Sequence, residues 1–358
     1  MRTITVIGAG PGGIGTAALL ARRGYAVTLA NRTAERLEPF IARGGVETEG
    51  ELGEGFVAIE RITTDLAAAV ATADVVLIAV PAYGQVPLAE TIGPHLRPGT
   101  TVLLLTGSAG TLEVAPVLRA QGVDLDEVLL GETVTLPQSG RMVAPARIRL
   151  LLEARLRVAA FPGRNTTRLV ETLDGLYPWI PTPHVLDPAL NNPNFLIHPA
   201  PMLLNYAAIE RADGRFSLMN EGMTEATLRL LDAVDAEKMA LQQALGLEVV
   251  TIDEQYTSSG SGPWVYRERG EPFGLHDRIW RRYVTEDVPY GSVLYSSLGR
   301  LLDVATPVCD GINVILSAVE ERDFWSEGRT VERLGLAGLD LAGLHDFLRS
   351  GSRPAPVS

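Results

Sequence analysis

The chain has 358 residues, of which 46% are hydrophobic and 21% charged, and its formal net charge is −12. That length exceeds one ordinary domain and suits two, each with a core of its own. A negative surface repels polyanions, and a single cysteine (Cys309) cannot form an internal disulfide, so nucleic acid, anionic membranes and an oxidising compartment are set aside. No apolar run reaches about 18 residues, so no membrane-spanning helix is expected. The N-terminus runs straight into a strand, which leaves no room for a signal peptide and points to a cytoplasmic protein. Lys238 is the sole lysine, so any mechanism that needs a catalytic lysine must use it.

Residues 3–7 form an apolar, β-branched run that ends in glycines, and helix periodicity follows over 14–23. A second buried strand is predicted over 26–30 and a second helix over 33–43, stopped by Gly44 and Gly45. One or two strands over 56–62, a short helix over 65–73, a strand over 75–80 ending at Pro81, a helix over 86–96 and a strand over 100–105 come next. Continuous apolar strands between helices imply a parallel sheet covered on both faces, and right-handed crossovers make it doubly wound. Further strand-like runs lie at 128–135 and 148–160, with a helix over 165–176. The proline-rich stretch 177–188 is read as the boundary, giving a first domain of 1–183 and a second of 184–358. Helix periodicity then dominates, notably over 202–211, 221–245, 299–302 and 312–318, so the second domain is expected to be all α. Only residues 350–358 look disordered in sequence.

Gly8-Ala9-Gly10-Pro11-Gly12-Gly13 matches G-x-G-x-x-G at the first strand-to-helix turn, the fingerprint of a Rossmann dinucleotide site. The helix N-terminus behind it offers free N–H groups and the positive end of its dipole to a pyrophosphate. At the end of the second strand a carboxylate for the ribose hydroxyls is expected in an NAD site. Here Asn31, Arg32 and Thr33 stand instead, with Arg36 one turn on. No carboxylate repels a 2′-phosphate there, and Arg32 can bind one with two parallel hydrogen bonds, so NADP is expected ahead of NAD. Thr33 can add a hydroxyl or cap the next helix. Val80 and Pro81, and Gly107 in the run 106–110, close two further strand ends where the nicotinamide half is expected to pass.

Two segments of the second domain stand out. One runs from Asn191 and Asn192 through Pro193, Asn194 and His198-Pro199 to Asn205, Tyr206 and Glu210. The other runs from Arg281-Arg282-Tyr283 through Glu286-Asp287-Val288-Pro289 to Gly291, and the tail carries Gly328-Arg329-Thr330 and Leu334-Gly335-Leu336. With the N-terminal fingerprint, the patterns N-x-x-x-H-P, L-x-N and R-Y-x-x-E-D-x-P-x-G resemble the opine dehydrogenase family of octopine and nopaline dehydrogenases over nearly the whole chain. The resemblance implies an NAD(P)H-dependent enzyme that joins an amino acid or other amine to a 2-oxo acid by reducing their imine. It implies that His198 is the catalytic histidine, Asp287 its carboxylate partner and Arg282, or the adjacent Arg281, the binder of the substrate carboxylate. Asn192, Asn194 and Asn205 either line the cleft or cap helices. The chain departs from the family after Gly291, where Ser292-Val293-Leu294-Tyr295 replaces the usual Gly-Leu-Val-Pro, which concerns the shape of the amine pocket. Family members occur as monomers and dimers, so a homodimer is open to this chain.

The residue types suit the chemistry. An imidazole titrates near neutral pH, and a carboxylate fixes its tautomer. A guanidinium matches a carboxylate with two bonds. The two groups stand about ninety positions apart, a separation only folding can close. The remaining histidines, His95, His184, His276 and His345, show no partner pattern and are read as surface or structural, and no cluster has metal-ligand spacing. The glycine-serine run 260–263, followed by Trp264 and Tyr266, is read as an exposed loop. The nearest rival is a ketopantoate-reductase-like or hydroxyacid dehydrogenase acting on a C=O group, and a protein that binds NADP without turnover is a second. The first needs a lysine, whereas Lys238, in the helical run among Glu237 and Gln242, is expected to face solvent.

Overall fold

The computed structural model describes residues 2–153, 155–212, 216–258 and 280–353. These divide into two compact units, one reaching to Pro188 and taking in the residues from His345 on, the other running from Ala189 to Leu344. The run 260–266 and His276 lie outside the described residues.

Strands of the first unit are β1 (Thr3–Ile7), β2 (Ala26–Ala30), β3 (Gly45–Gly50), β4 (Gly55–Ala58), β5 (Arg61–Thr63), β6 (Val75–Ile78), β7 (Thr101–Leu104), β8 (Leu129–Thr133), β9 (Gln138–Ala144), β10 (Arg147–Glu153), β11 (Leu156–Ala160) and β12 (Trp179–Pro181). Eight of them form one sheet in the order β12-β11-β8-β7-β6-β1-β2-β5. From β5 to β8 all neighbours are parallel, and the strand order reverses between β1 and β6, the switch point at which doubly wound sheets bind dinucleotides. The parallel order ends at β11, which runs antiparallel to β8. The strands are buried on both faces, with Val6, Val75, Val76, Leu77, Leu103 and Leu104 at 1% exposure or less.

A second sheet, β4-β3-β10-β9, departs from the simple alternation expected. The apolar run 148–160 is therefore two strands in two sheets. This small sheet packs on helix α1 (Pro11–Arg22), which begins at the glycine turn. Gln138 Nε2 donates to Gly12 O at 3.0 Å and to Thr16 Oγ at 3.1 Å, so β9 braces the first turns of the helix that a dinucleotide phosphate would meet. The predicted helix 33–43 is broken into a short turn at Ala34–Arg36 and a helix at Glu38–Arg43, because Pro39 has no N–H to continue the earlier turn.

The compact units differ from the boundary read at 183/184. Residues 182–187 stay with the first unit. The Thr182 N–H donates to Val158 O at 3.0 Å, and the Asp187 carboxylate takes two bonds from Arg157, at 2.7 and 3.0 Å, with Asp187 only 1% exposed. The chain returns at its end, where Phe347 packs on Phe161 with ring centroids 5.5 Å apart. Prolines marked the irregular segment but carried no information about which core it joins.

Regular structure in the described part of the second unit is helical. The long helix Glu225–Ala244 is capped by Thr224, whose hydroxyl accepts the Thr227 N–H, and it buries the stripe Leu231, Val234, Leu241 with Lys238 and Gln242. Among the described residues no helix is long and apolar enough to cross a membrane.

Candidate active site

The glycine turn is sterically compelled. Gly8 sits at φ +126°, a Cβ there would run into the Ala79 carbonyl, and a Cβ on Gly13 would run into the Gly8 carbonyl. Gly10 differs, since a Cβ there would meet nothing within 4 Å. The space in front of Gly10 is therefore open, as a bound phosphate requires, and the helix that starts at Pro11 has no side-chain cap. The residues present fit a dinucleotide.

Asn31 ties this turn to the end of β2: its Oδ1 accepts the Ala9 N–H at 3.2 Å and its Nδ2 donates to Thr33 O at 3.0 Å. Arg32 and Arg36 are exposed beside it. Thr33 stands at the start of the next turn, but its side chain makes no capping bond, so the capping role expected of it is not formed. Val80 and Pro81 are half-buried just past β6.

Gly107 belongs to a loop whose organisation the sequence did not disclose. Thr106, Ser108 and Ala109, none of them glycine, all take positive φ (71°, 55° and 64°). Beneath them lies Glu132, at 0% exposure. Its carboxylate accepts the Ala109 N–H at 2.7 Å, the Thr111 N–H at 3.0 Å and the Thr111 hydroxyl at 2.7 Å. Three bonds to one anion offset the strain of three left-handed residues. A lone carboxylate inside the apolar run 128–135 was the available signal.

In the second unit the run 191–199 builds a pedestal. Asn192 Oδ1 accepts the Asn194 N–H at 3.1 Å and so starts the helix Asn194–Ile197. His198 follows, and Pro199 opens the helix Pro199–Arg211, where a missing N–H costs nothing. Asp287 lies between the short helix Arg282–Thr285 and a widened turn at Val288–Ser292. Gly291 lets that turn close on the other segment, because a Cβ there would run into the Phe195 ring.

The two segments bring His198 Nδ1 to 2.7 Å from Asp287 Oδ2, with each residue 8% exposed. A carboxylate at Nδ1 selects the tautomer with its proton there and leaves Nε2 for acid–base work. Burial pushes the Asp287 carboxyl above the ordinary range, and His198 pulls against that rise. Across the imidazole face lies Tyr283, with ring centroids 3.7 Å apart and planes 11° from parallel.

Other expected residues are placed as follows. Arg282 bonds Glu286 Oε2 through Nε and Nη2, at 3.0 and 2.6 Å, and its side chain is 53% exposed. Arg281 lies over the Trp280 ring and 3.9 Å from Glu320. Asn205 spends its amide hydrogens on Pro201 O and Gly222 O, at 2.9 and 3.1 Å, which joins its helix to the turn at 218–222. Lys238 does not face solvent. It is fully buried, 2.6 Å from both Asp235 Oδ1 and Val250 O, because its position falls on the core stripe of its helix. Among the described residues no group of three or more His, Cys, Asp or Glu is arranged to hold a metal.

Comparison with known proteins agrees with both units. Residues 181–319 match the model for the α-helical domain of NAD/NADP octopine/nopaline dehydrogenases, and residues 4–159 match that for ketopantoate reductase PanE/ApbA. The chain is 33% identical over 357 residues to an opine dehydrogenase of Arthrobacter sp. (strain 1C), covering 96% of this chain and 98% of that one. Its fold is similar to that of an octopine dehydrogenase solved with NADH and L-arginine (TM-score 0.74, 18% identity, all of both chains). It is also similar to yersinopine dehydrogenase with NADP+ bound (TM-score 0.66, 18% identity, 98% of each chain). A relative of that identity, matched from end to end, places the chain in the opine dehydrogenase family, as a nicotinamide-dependent oxidoreductase acting on CH–NH groups.

Proposed function

We propose that the chain condenses an amino acid or other amine with a 2-oxo acid and reduces the resulting imine with NADPH, His198 serving as the general acid and base. The hydrogen bond between His198 and Asp287 carries this reading. It leaves one imidazole nitrogen to deliver a proton to the substrate nitrogen as the adjacent carbon is reduced, and to recover it in the reverse direction. The nicotinamide, when bound, supplies the hydride.

Gly8, Gly10, Pro11, Gly12 and Gly13 would hold the pyrophosphate, with Val80, Pro81 and Gly107 beside the nicotinamide half. Arg32 and Arg36 favour a 2′-phosphate, and the absence of a carboxylate across Asn31–Thr33 supports NADP over NAD. Arg282, whose charge is felt at Asp287, is the candidate for the oxo-acid carboxylate and would share its guanidinium between substrate and Glu286. Asn192 and Asn205 enter this reading as supports of the helices around His198. An amino-acid donor is in keeping with the L-arginine bound by the octopine dehydrogenase of like fold. The rival, reduction of a 2-oxo acid carbonyl with a lysine, is disfavoured by the burial of Lys238.

The test is NADPH oxidation with single amino acids and amines, each paired with pyruvate, glyoxylate or 2-oxoglutarate. Oxidation that requires both partners is expected. Oxidation with a 2-oxo acid alone, or with no mixture at all, would overturn the proposal.

A further inference from the structure

We propose that Tyr283 is a positioning residue that stabilises the protonated form of His198, acting through the face of its ring. The proposal rests on the reading of His198 as the acid–base group. Tyr283 lies in the short helix Arg282–Thr285 and Asp287 two residues past its end, and both meet the His198 ring. Asp287 meets the imidazole in its plane, at Nδ1, and Tyr283 meets it from the side, at 3.7 Å and 11°. The two contacts together fix the ring's position and its tilt.

The stack has a preferred charge state. Two neutral aromatic rings favour offset or edge-on packing with centroids about 4.5–7 Å apart, because like-charged faces repel. A separation of 3.7 Å with nearly parallel planes leaves room for only a small offset. A protonated imidazolium reverses the sign, since the negative face of the phenol attracts a cation. Burial of His198 weakens the competing hydration. Among the described residues, Asp287 stands at Nδ1 and the Arg282–Glu286 pair lies on the Tyr283 segment. On the packed helix Glu225–Ala244, Lys238 pairs with Asp235, and Glu237 accepts the N–H groups of Val308 and Cys309.

The experiment is an NMR titration of full-length protein labelled with 13C at the histidine Cε1, with the His198 signal identified by its loss in His198→Gln. Wild type, Tyr283→Phe and Tyr283→Leu are compared, with Tyr283→Met taking the place of the leucine variant if that one does not fold. Loss of the ring face is expected to move the His198 midpoint to lower pH by about half a unit, the shift that a cation over a partly exposed ring supports. Tyr283→Phe, which keeps the face, is expected to retain the wild-type midpoint. An unmoved midpoint in a folded leucine or methionine variant overturns the proposal, as does a phenylalanine variant that behaves like leucine. The outcomes separate from those of the function. Full turnover by His198→Ala would remove the acid–base reading and leave the titration difference standing, whereas an unmoved midpoint beside an inactive His198→Ala removes the stacking role alone.

Discussion

His198 Nδ1 and Asp287 Oδ2 stand 2.7 Å apart although 89 positions of chain separate the two residues. His198→Ala is expected to lower kcat by about 10²–10⁴, the usual contribution of a placed acid–base group, with the NADPH dissociation constant unchanged. Asp287→Asn keeps the shape but can present an N–H to Nδ1 and so favour the wrong tautomer, and its kcat is expected to fall toward that of His198→Ala. Single-turnover kinetics with fluorescence-monitored NADPH binding separates the two quantities. Normal kcat in either variant would end the assignment.

Arg32 is exposed just past β2, where Asn31 and Thr33 flank it in place of a carboxylate. Arg32→Ala is expected to weaken NADPH roughly ten- to a hundredfold, the range for a charge-assisted bond, and to leave NADH nearly untouched. Titration with both cofactors is the measurement, and equal losses for the two would contradict the proposed preference for NADP.

Glu132 holds the loop that contains Gly107. Glu132→Ala would strand two buried N–H groups and a hydroxyl at about 1–3 kcal/mol each, under three residues already in left-handed backbone. A loss of several kcal/mol in urea unfolding is expected, with weaker cofactor binding in the folded fraction. Glu132→Gln should fall between, since an amide offers only one acceptor atom. Wild-type stability of Glu132→Ala would show that the loop keeps its shape by other means.

Lys238 is buried against Asp235, and removing one partner of such a pair leaves an uncompensated charge. Lys238→Met is expected to lose about 3–5 kcal/mol. Lys238→Met with Asp235→Asn should recover part of this, because the amide oxygen can still accept the Ile252 N–H that Asp235 Oδ2 now holds at 3.0 Å. Turnover per folded molecule is expected to stay normal. A variant with intact stability and no turnover would return the lysine to the chemistry.

His184 is 5% exposed, its two ring nitrogens have no hydrogen-bond partner among the described residues, and His345 lies 5.7 Å away. Burial, with His345 adding to it, lowers its pKa from 6.5 to about 4. The unfolded chain therefore binds the proton more readily than the folded one between those values, so stability is full above about pH 6.5 and falls as pH drops toward 4. The contribution at stake is at most about 3 kcal/mol. His184→Leu should flatten the urea-unfolding profile across that window, and an equally steep profile would place the acid sensitivity elsewhere.

Several of these features were legible before folding. The parallel core and glycine turn follow from local rules: β-branched runs between helices, and backbone positions where a side chain would strike a carbonyl. The His-Pro and Glu-Asp-x-Pro segments were readable as patterns of residue type. Other features depended on which distant groups become neighbours. The small sheet β4-β3-β10-β9 joins strands from 45–58 with strands from 138–153, and no local periodicity encodes that pairing. The environment of Lys238 turned on which side of its helix faced the core, and polar type alone suggested the opposite side.

Sequence by itself determined the fold class, the nucleotide fingerprint and the two residue types that meet in the second unit. Tertiary structure decided that the imidazole and the carboxylate share a hydrogen bond, that a tyrosine covers the imidazole's face and that Glu132 anchors a strained loop. The physical reason is range. Steric and periodic preferences act over a few residues and are written along the chain, whereas hydrogen bonds, burial and ring contacts act over a few ångströms and exist only once distant segments are packed together.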